Sequence, residues 1–236
     1  MFDFLKPHHG SSLSFTVPTA LILLDNQAAF AHPATGKTPS RSNPLFEVNL
    51  TSLLGAFRAA RESVSEKSDS HNHGNGKGEK KQHLEIVHIF HVAEDNPRSP
   101  LHPQHPGDGI RPLDFAQPVY NGDENTANLN ECVIWKSINS APPIGPDLQN
   151  YLRSHGIKQL LFAGLTTDHA VSTTVRTAAN LGLVEPGGIL LVGDATATWA
   201  RAGIEAETVH AVSVASLEGE FARVVRTEDV VRALRR

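Results

Sequence analysis

Residues Gly164 to Thr174 read Gly-Leu-Thr-Thr-Asp-His-Ala-Val-Ser-Thr-Thr and follow a short apolar run, Gln159 to Ala163. That run suits a buried strand. Ala170, Val171, Thr174, Val175, Ala178, Ala179 and Leu181 then recur at helical spacing until Gly182 closes the pattern. The first helical turn is thereby placed at the carboxyl end of a strand, where open α/β sheets bind ligands and backbone N–H groups favour developing negative charge. A cysteine at position 170 would have its thiolate stabilised there. The chain has Ala170 instead.

Two further polar residues end apolar runs. Asp25 follows Ala20-Leu-Ile-Leu-Leu, and Lys136 follows Cys132-Val-Ile-Trp. By itself Asp25 reads equally as a turn residue after a strand or as a carboxylate delivered to the edge of a sheet. Lys136 alone reads as a solvated strand end. Gln27 reads as a hydrogen-bonding scaffold residue. Cys132, the single thiol, lies inside an apolar strand with no helix terminus near it and reads as structural.

The elements that must position these residues alternate along the chain. Strands are predicted at Thr19 to Asp25, Leu84 to His91, Cys132 to Lys136, Gln159 to Ala163, Gly188 to Val192 and Phe221 to Val225. A long helix opens at Asn43-Pro44 with Leu45, Val48, Leu53, Leu54, Phe57 and Ala60 as its apolar stripe. Others cover Asp147 to Ser154, the segment after the elbow and Ile204 to Leu217, with a last one capped by Thr227. The order predicts a single domain over residues 1–236, a three-layer α/β/α fold on a Rossmann-like sheet of about six mainly parallel strands. Residues 65–82 are polar and low in complexity and read as a flexible surface insertion, its His71 and His73 solvated. The proline-rich stretch from Asp95 to Pro118 is long enough to act as a lid or subunit contact.

Composition limits the partners. The 236 residues are 39% apolar and 19% charged with a net charge of -4, which gives no electrostatic reason to expect nucleic acid or an anionic membrane. No apolar run reaches the roughly 18 residues needed to span a bilayer. Met1 to Ser14 lacks a basic stretch followed by an apolar one, so no secretory signal is expected, and a lone cysteine agrees with a reducing, cytoplasmic setting.

The elbow sequence resembles the nucleophile motif of the isochorismatase-like cysteine hydrolases, which include nicotinamidases, carbamoylsarcosine and biuret amidohydrolases, and streptothricin hydrolase. Many members carry Thr-Asp-His-Cys-Val-Ser-Thr-Thr; this chain differs at one letter. The similarity extends to Ala20-Leu-Ile-Leu-Leu-Asp25-Asn-Gln27, to Val133-Ile-Trp-Lys136-Ser-Ile-Asn139-Ser-Ala141 and to Gly193-Asp194-Ala195-Thr196.

The resemblance implies a catalytic set of Asp25 as general base, Lys136 as the neighbouring cation and position 170 as the nucleophile site. It implies an oxyanion hole from the backbone N–H groups of Thr166 and Ala170, with a cis peptide at Leu165–Thr166. Phe30, His32, Trp135, Asn139 and His169 are the candidate substrate-binding residues, with Trp199 as a further wall. Pro142 and Pro143 stand where a phenylalanine is common in the family. The implied substrate is a small amide-like molecule, the implied assembly a homodimer or homotetramer, and no organic cofactor is called for. Nicotinamidases bind a metal through Asp and two His, but the Asp-x-His pair is not found after the second strand, so His102 and His105 are not read as ligands.

Ala170 leaves three readings open. The chain is a C–N-cleaving cysteine hydrolase (amide, lactam or ureido) whose nucleophile has been replaced. Alternatively, it is an isochorismatase-type vinyl-ether hydrolase that needs no cysteine and uses Asp25 as acid. The third reading is a non-catalytic binder that kept the pocket.

Overall fold

The fold was analysed in a computed structural model that describes residues 13–31, 41–69, 83–120, 130–138 and 146–235. Among these residues six strands form one sheet: β1 (Thr19–Leu24), β2 (Leu84–His91), β3 (Cys132–Lys136), β4 (Gln159–Leu165), β5 (Ile189–Ala197) and β6 (Arg223–Val225). Their spatial order is β3-β2-β1-β4-β5-β6, and every pair is parallel. The chain reverses its direction of winding between β1 and β4, and ligands of such sheets bind at the carboxyl ends of the strands beside that reversal. Asp25 follows β1 there, and the 164–174 segment leaves β4 there.

β1 is buried on both faces, as its unbroken apolar sequence requires, and a one-turn helix, α1 (Ala28–Ala31), follows it. Leu21 and Leu23 point into one core with Phe46, Leu50, Leu53, Leu54 and Phe57 of α2 (Phe46–Asp69) and with Val230 of α6 (Thr227–Leu234). Ala20, Ile22 and Leu24 point into the opposite core. There they meet Leu148 and Leu152 of α3 (Pro146–Ser154), Val175 and Ala178 of α4 (Ser172–Asn180) and Val214 of α5 (Ala206–Ala215). The period of two along the strand thus divides the molecule into three layers. No helix among the described residues is long and apolar enough to cross a membrane.

Several boundaries differ from the sequence reading. The stripe of α2 is Phe46, Leu50, Leu53, Leu54, Phe57 and Ala60, whereas Leu45 and Val48 lie exposed: Leu45 precedes the helix, and Val48 falls about half a turn from that face. α2 runs on to Asp69, so the first part of the expected insertion is helical, and the rest of it lies outside the described residues. Thr227 does not cap α6. Its N–H and hydroxyl both donate to Asp194 Oδ1, at 2.8 and 2.7 Å, so Asp194 satisfies the helix start. Asp194 lies where β5 bulges, the register with β4 jumping from Phe162–Leu191 to Gly164–Thr196. Its backbone oxygen also accepts from the amides of Asn43 and Asn49. The Gly-Asp-Ala-Thr motif therefore anchors α2 and α6 to the bulge.

The proline-rich stretch is an ordered ribbon of linked turns. Each N–H of Ser99, His102, His105 and Asp108 donates to the carbonyl three residues earlier. Asn96, Ser99, His102 and His105 each accept, through the side chain, an N–H two residues on. Proline follows each of the four, presetting the φ that the next turn needs. The Nδ1 atoms of His102 and His105 are used within these turns. The ribbon docks against the end of β1 through Ala29 N–H to Gly109 O and Ala28 N–H to Arg111 O, both 2.9 Å.

A buried carboxylate ties the outer strands to α2. Glu131, next to β3, accepts from Arg58 Nε (2.7 Å) and Nη2 (2.9 Å), from His88 Nε2 (2.7 Å) and from Val119 N–H (3.0 Å). Burial pushes the Glu131 carboxyl up, but its bonds to Arg58 and His88 outweigh this and hold it at about 2.

Two outcomes test this framework. A Cβ on Gly164, whose φ is +117°, would lie 2.2 Å from Leu24 O. Gly164→Ala is therefore expected to destabilise the fold by about 3 kcal/mol or more in urea unfolding. Glu131→Gln should cost about 3 kcal/mol at pH 7, since it leaves the Arg58 charge uncompensated. Glu131 has its carboxyl depressed in the folded state, so its contribution is present above its ordinary 4.5 and fades as pH falls towards about 2. The gap between parent and variant stability should close over that range.

Candidate active site

Asp25 leaves β1 with φ +49°, a left-handed conformation that aspartate tolerates better than most residues. Its N–H donates to Ile89 O of β2 at 2.9 Å, and the Gln27 N–H returns to Asp25 O at 2.8 Å. This tight turn lifts the carboxylate over the sheet edge. Lys136 ends β3 two strands away, paired in register with His91 of β2. Its side chain reaches across β2, and Nζ donates to Asp25 Oδ2 at 2.8 Å. Both residues are buried.

The three N–H donors of the Lys136 ammonium meet three acceptors: Asp25 Oδ2, His91 Nδ1 at 3.2 Å and Ile138 O at 3.2 Å. Asp25 is served on one side only, because Oδ1 is buried and has no hydrogen-bond partner among the described residues. Burial raises the Asp25 carboxyl to about 6, and Lys136 offsets only part of that rise. Burial likewise lowers the Lys136 ammonium, against the pull of Asp25. The pair is thus an acid held near neutrality beside a fixed cation, with one oxygen free to take or give a proton.

β4 ends at Leu165, and the peptide to Thr166 is cis. Residues Thr167–Val171 form a wide π turn before α4, with the Val171 N–H on Thr166 O at 3.2 Å. Position 170 lies in this turn, its methyl group buried. Thr166 makes no side-chain cap. Thr167 is instead bonded to His210 Nδ1 of α5 at 2.9 Å. Asp168 accepts from the Thr198 hydroxyl, from Arg201 Nε at 2.8 Å and from His169 Nδ1 at 2.6 Å. These bonds to Thr198 and Arg201 hold its carboxyl below the ordinary range against the opposing effect of burial. The first turn is pinned by the segment after β5, through Asp168, and by α5, through the Thr167 hydroxyl.

The sequence-derived residues divide as follows. Asp25 and Lys136 meet directly, and Thr166 and Ala170 share the turn at the end of the adjacent strand β4. Phe30 joins them: its ring stands edge-on to His91 with centroids 6.3 Å apart, and its carbonyl accepts from Trp199 Nε1 at 3.1 Å. His169, about half exposed, flanks position 170 through the Asp168 knot. Trp135 is not brought in. It alternates with Lys136 along β3 and packs on Phe90 (5.5 Å), with 47% of its surface exposed. His32 and Asn139, like Pro142 and Pro143, lie outside the described residues. Gln27 is a scaffold residue: its amide accepts from His91 N–H at 2.7 Å and donates to His91 O at 2.9 Å and Ile110 O at 3.0 Å.

Sequence reasoning missed His91 and Arg201. His91 ends a strand at the same sheet edge as Asp25 and Lys136, and that register is the signal that could have found it. Arg201 had no local signal, since its partner lies 33 residues away. No group of three or more His, Cys, Asp or Glu among the described residues could hold a metal ion.

A family description for the isochorismatase domain matches residues 19–229. The isochorismatase family protein YrdC of Bacillus subtilis is 30% identical over 217 residues, covering 90% of this chain and 94% of that protein. A crystal structure described as a hydrolase of the isochorismatase family, from Chromobacterium violaceum, superposes with a TM-score of 0.72 at 29% identity. It covers 95% of this chain and 98% of its own. A cysteine hydrolase from Pseudomonas syringae shares the fold, with a TM-score of 0.70, 18% identity and 98% of both chains covered. With a buried acid–cation pair and a strand-to-helix turn at the ends of adjacent strands beside the sheet reversal, and with the match running nearly end to end, the chain belongs to the isochorismatase family of hydrolases.

Proposed function

We propose that this chain has the active-site framework of a cysteine hydrolase that cleaves a C–N bond of a small amide, lactam or ureido compound, with alanine at the nucleophile position. The observation that carries this reading is Asp25: buried, bound to Lys136 through Oδ2 and, among the described residues, unpartnered at Oδ1. A general base needs one oxygen fixed and the other free. With cysteine at 170, Asp25 takes the thiol proton as sulfur attacks the carbonyl carbon. The negative charge that forms on the carbonyl oxygen is met by the backbone N–H groups of Thr166 and residue 170. Asp25 then returns the proton to the departing nitrogen as the C–N bond breaks. Water, deprotonated by the same carboxylate, hydrolyses the thioester and releases the acid and the thiol. Alanine can form no thioester, so the chain as it stands supports binding without this turnover.

One observation favours a second reading. A carboxyl near 6 retains its proton in mildly acidic solution, which suits an acid that protonates a vinyl ether, a reaction that needs no thiol.

Ala170→Cys separates the two. The variant is expected to hydrolyse small amides, ureas or lactams at least about a thousandfold faster than the parent chain. Asp25→Asn in that background should lose about a hundredfold or more of kcat/KM. The ascending limb of kcat/KM should lie near pH 6, because the base acts only when ionised. Isochorismate turnover by the alanine chain, with no C–N cleavage by the cysteine form, would replace the first reading with the second. Ligand binding with no turnover by either form would leave a binding protein.

A further inference from the structure

Lys136 sits at the centre of the site, yet it has no N–H to offer. Its three donors are taken by Asp25 Oδ2, His91 Nδ1 and Ile138 O, and its side chain is wholly buried. The contact with His91 settles the chemistry of that ring. An ammonium can only donate, so Nδ1 accepts, and the neutral imidazole carries its proton on Nε2. Burial and the Lys136 charge lower the His91 imidazolium to about 4, which keeps the ring in this form at neutral pH.

His91 is also placed to use that proton. His91 is partly exposed, whereas Asp25 and Lys136 beside it are buried. Gln27 grips its backbone on both sides, and the ring is set edge-on to Phe30. Among the described residues the ring's contacts are Lys136 and Phe30, with Asp25 the next charge beyond Lys136, and Nε2–H has no partner.

We infer that His91, and not Lys136, is the side chain that hydrogen-bonds the substrate on this flank of the site, donating Nε2–H to an acceptor oxygen of the ligand. Lys136 fixes the tautomer, Gln27 fixes the backbone, and the ring presents one directed donor beside Asp25. The substrate class then narrows to C–N compounds that carry, besides the scissile carbonyl, a second carbonyl or carboxylate oxygen within reach of His91. This narrowing rests on the hydrolase reading above, whereas the tautomer and the donor role do not.

The chain as it stands can be tested without turnover. Nitrogen NMR of the His91 ring should show a protonated Nε2 and a bare Nδ1 at neutral pH, and malonamate or malonamide, each with an acceptor oxygen besides one amide carbonyl, should shift the Nε2–H signal. A proton on Nδ1, or a signal unmoved by both compounds up to saturation of the binding seen elsewhere in the spectrum or, if none is seen, to molar concentration, would overturn the inference.

In Ala170→Cys protein, His91→Asn keeps an acceptor near Lys136 and deletes the Nε2 donor. It is expected to raise KM about tenfold, with the pH profile unchanged. His91→Gln, which regains a donor at similar reach, should recover part of that loss. If His91 merely held Lys136 in place, His91→Asn would leave KM alone, and His91→Leu would move the pH limb and kcat instead. An Ala170→Cys protein inert on every C–N compound, with the ring signal still responsive, would remove the hydrolase reading and leave the donor role standing. Active Ala170→Cys protein with KM indifferent to His91→Asn would do the reverse.

Discussion

The site depends on one ion pair that is expensive to bury. Asp25 and Lys136 come from strands separated by β2, and both are withdrawn from water. Each is displaced towards its neutral form, so the attraction between them does not fully offset the loss of hydration. A pair like this contributes little to holding a protein together. Its effect is to keep a carboxyl group near 6 with one oxygen fixed and the other free. The fold supplies what the pair requires: a parallel sheet buried on both faces, a reversal of winding between β1 and β4, and a lysine long enough to cross a strand.

From that pair, direct contacts pass around the site. Lys136 touches His91, whose ring meets Phe30, whose carbonyl receives Trp199. The neighbouring Thr198 and Arg201 bind Asp168, which holds His169 beside position 170. Segments far apart in the chain thereby set one another's positions around the turn that carries Ala170. Gln27 and the proline ribbon close the β1 side, since Gln27 bonds both His91 and Ile110. Rigid placement of this kind is what a site needs when its groups must be aligned before substrate arrives.

Much of this was legible in the sequence, for physical reasons that differ from residue to residue. β1 was visible because burial on both faces demands an unbroken apolar run, and Asp25 was visible because it breaks that run. Lys136 by its own segment reads as a solvated strand end and is paired with Asp25 only through the resemblance; its burial depends on acceptors that other strands bring to it. The elbow was read from an apolar strand followed by helical periodicity, although the intervening π turn leaves no periodic trace. His91 escaped notice because its importance comes from register with Lys136, a relation between strands that no single segment encodes. The ribbon was seen as a proline-rich loop, while its three-residue repeat of an acceptor side chain followed by proline went unread. Asp194 stood in a recognisable motif, but its bond to Thr227 depends on a bulge that only the paired strands reveal. Leu45 and Val48 are apolar yet exposed, since Leu45 precedes the helix and Val48 lies about half a turn from the buried stripe, a placement that apolar composition alone does not reveal.

The most direct measurement is the titration of the Asp25 carboxyl group by carbon NMR in the chain as it stands, alone and with Lys136→Met. Its midpoint should lie at about 6, well above the ordinary 3.8, and should rise further once the cation that partly restrains it is gone. A midpoint at or below 3.8, or one indifferent to Lys136, would contradict the buried pair on which the account rests.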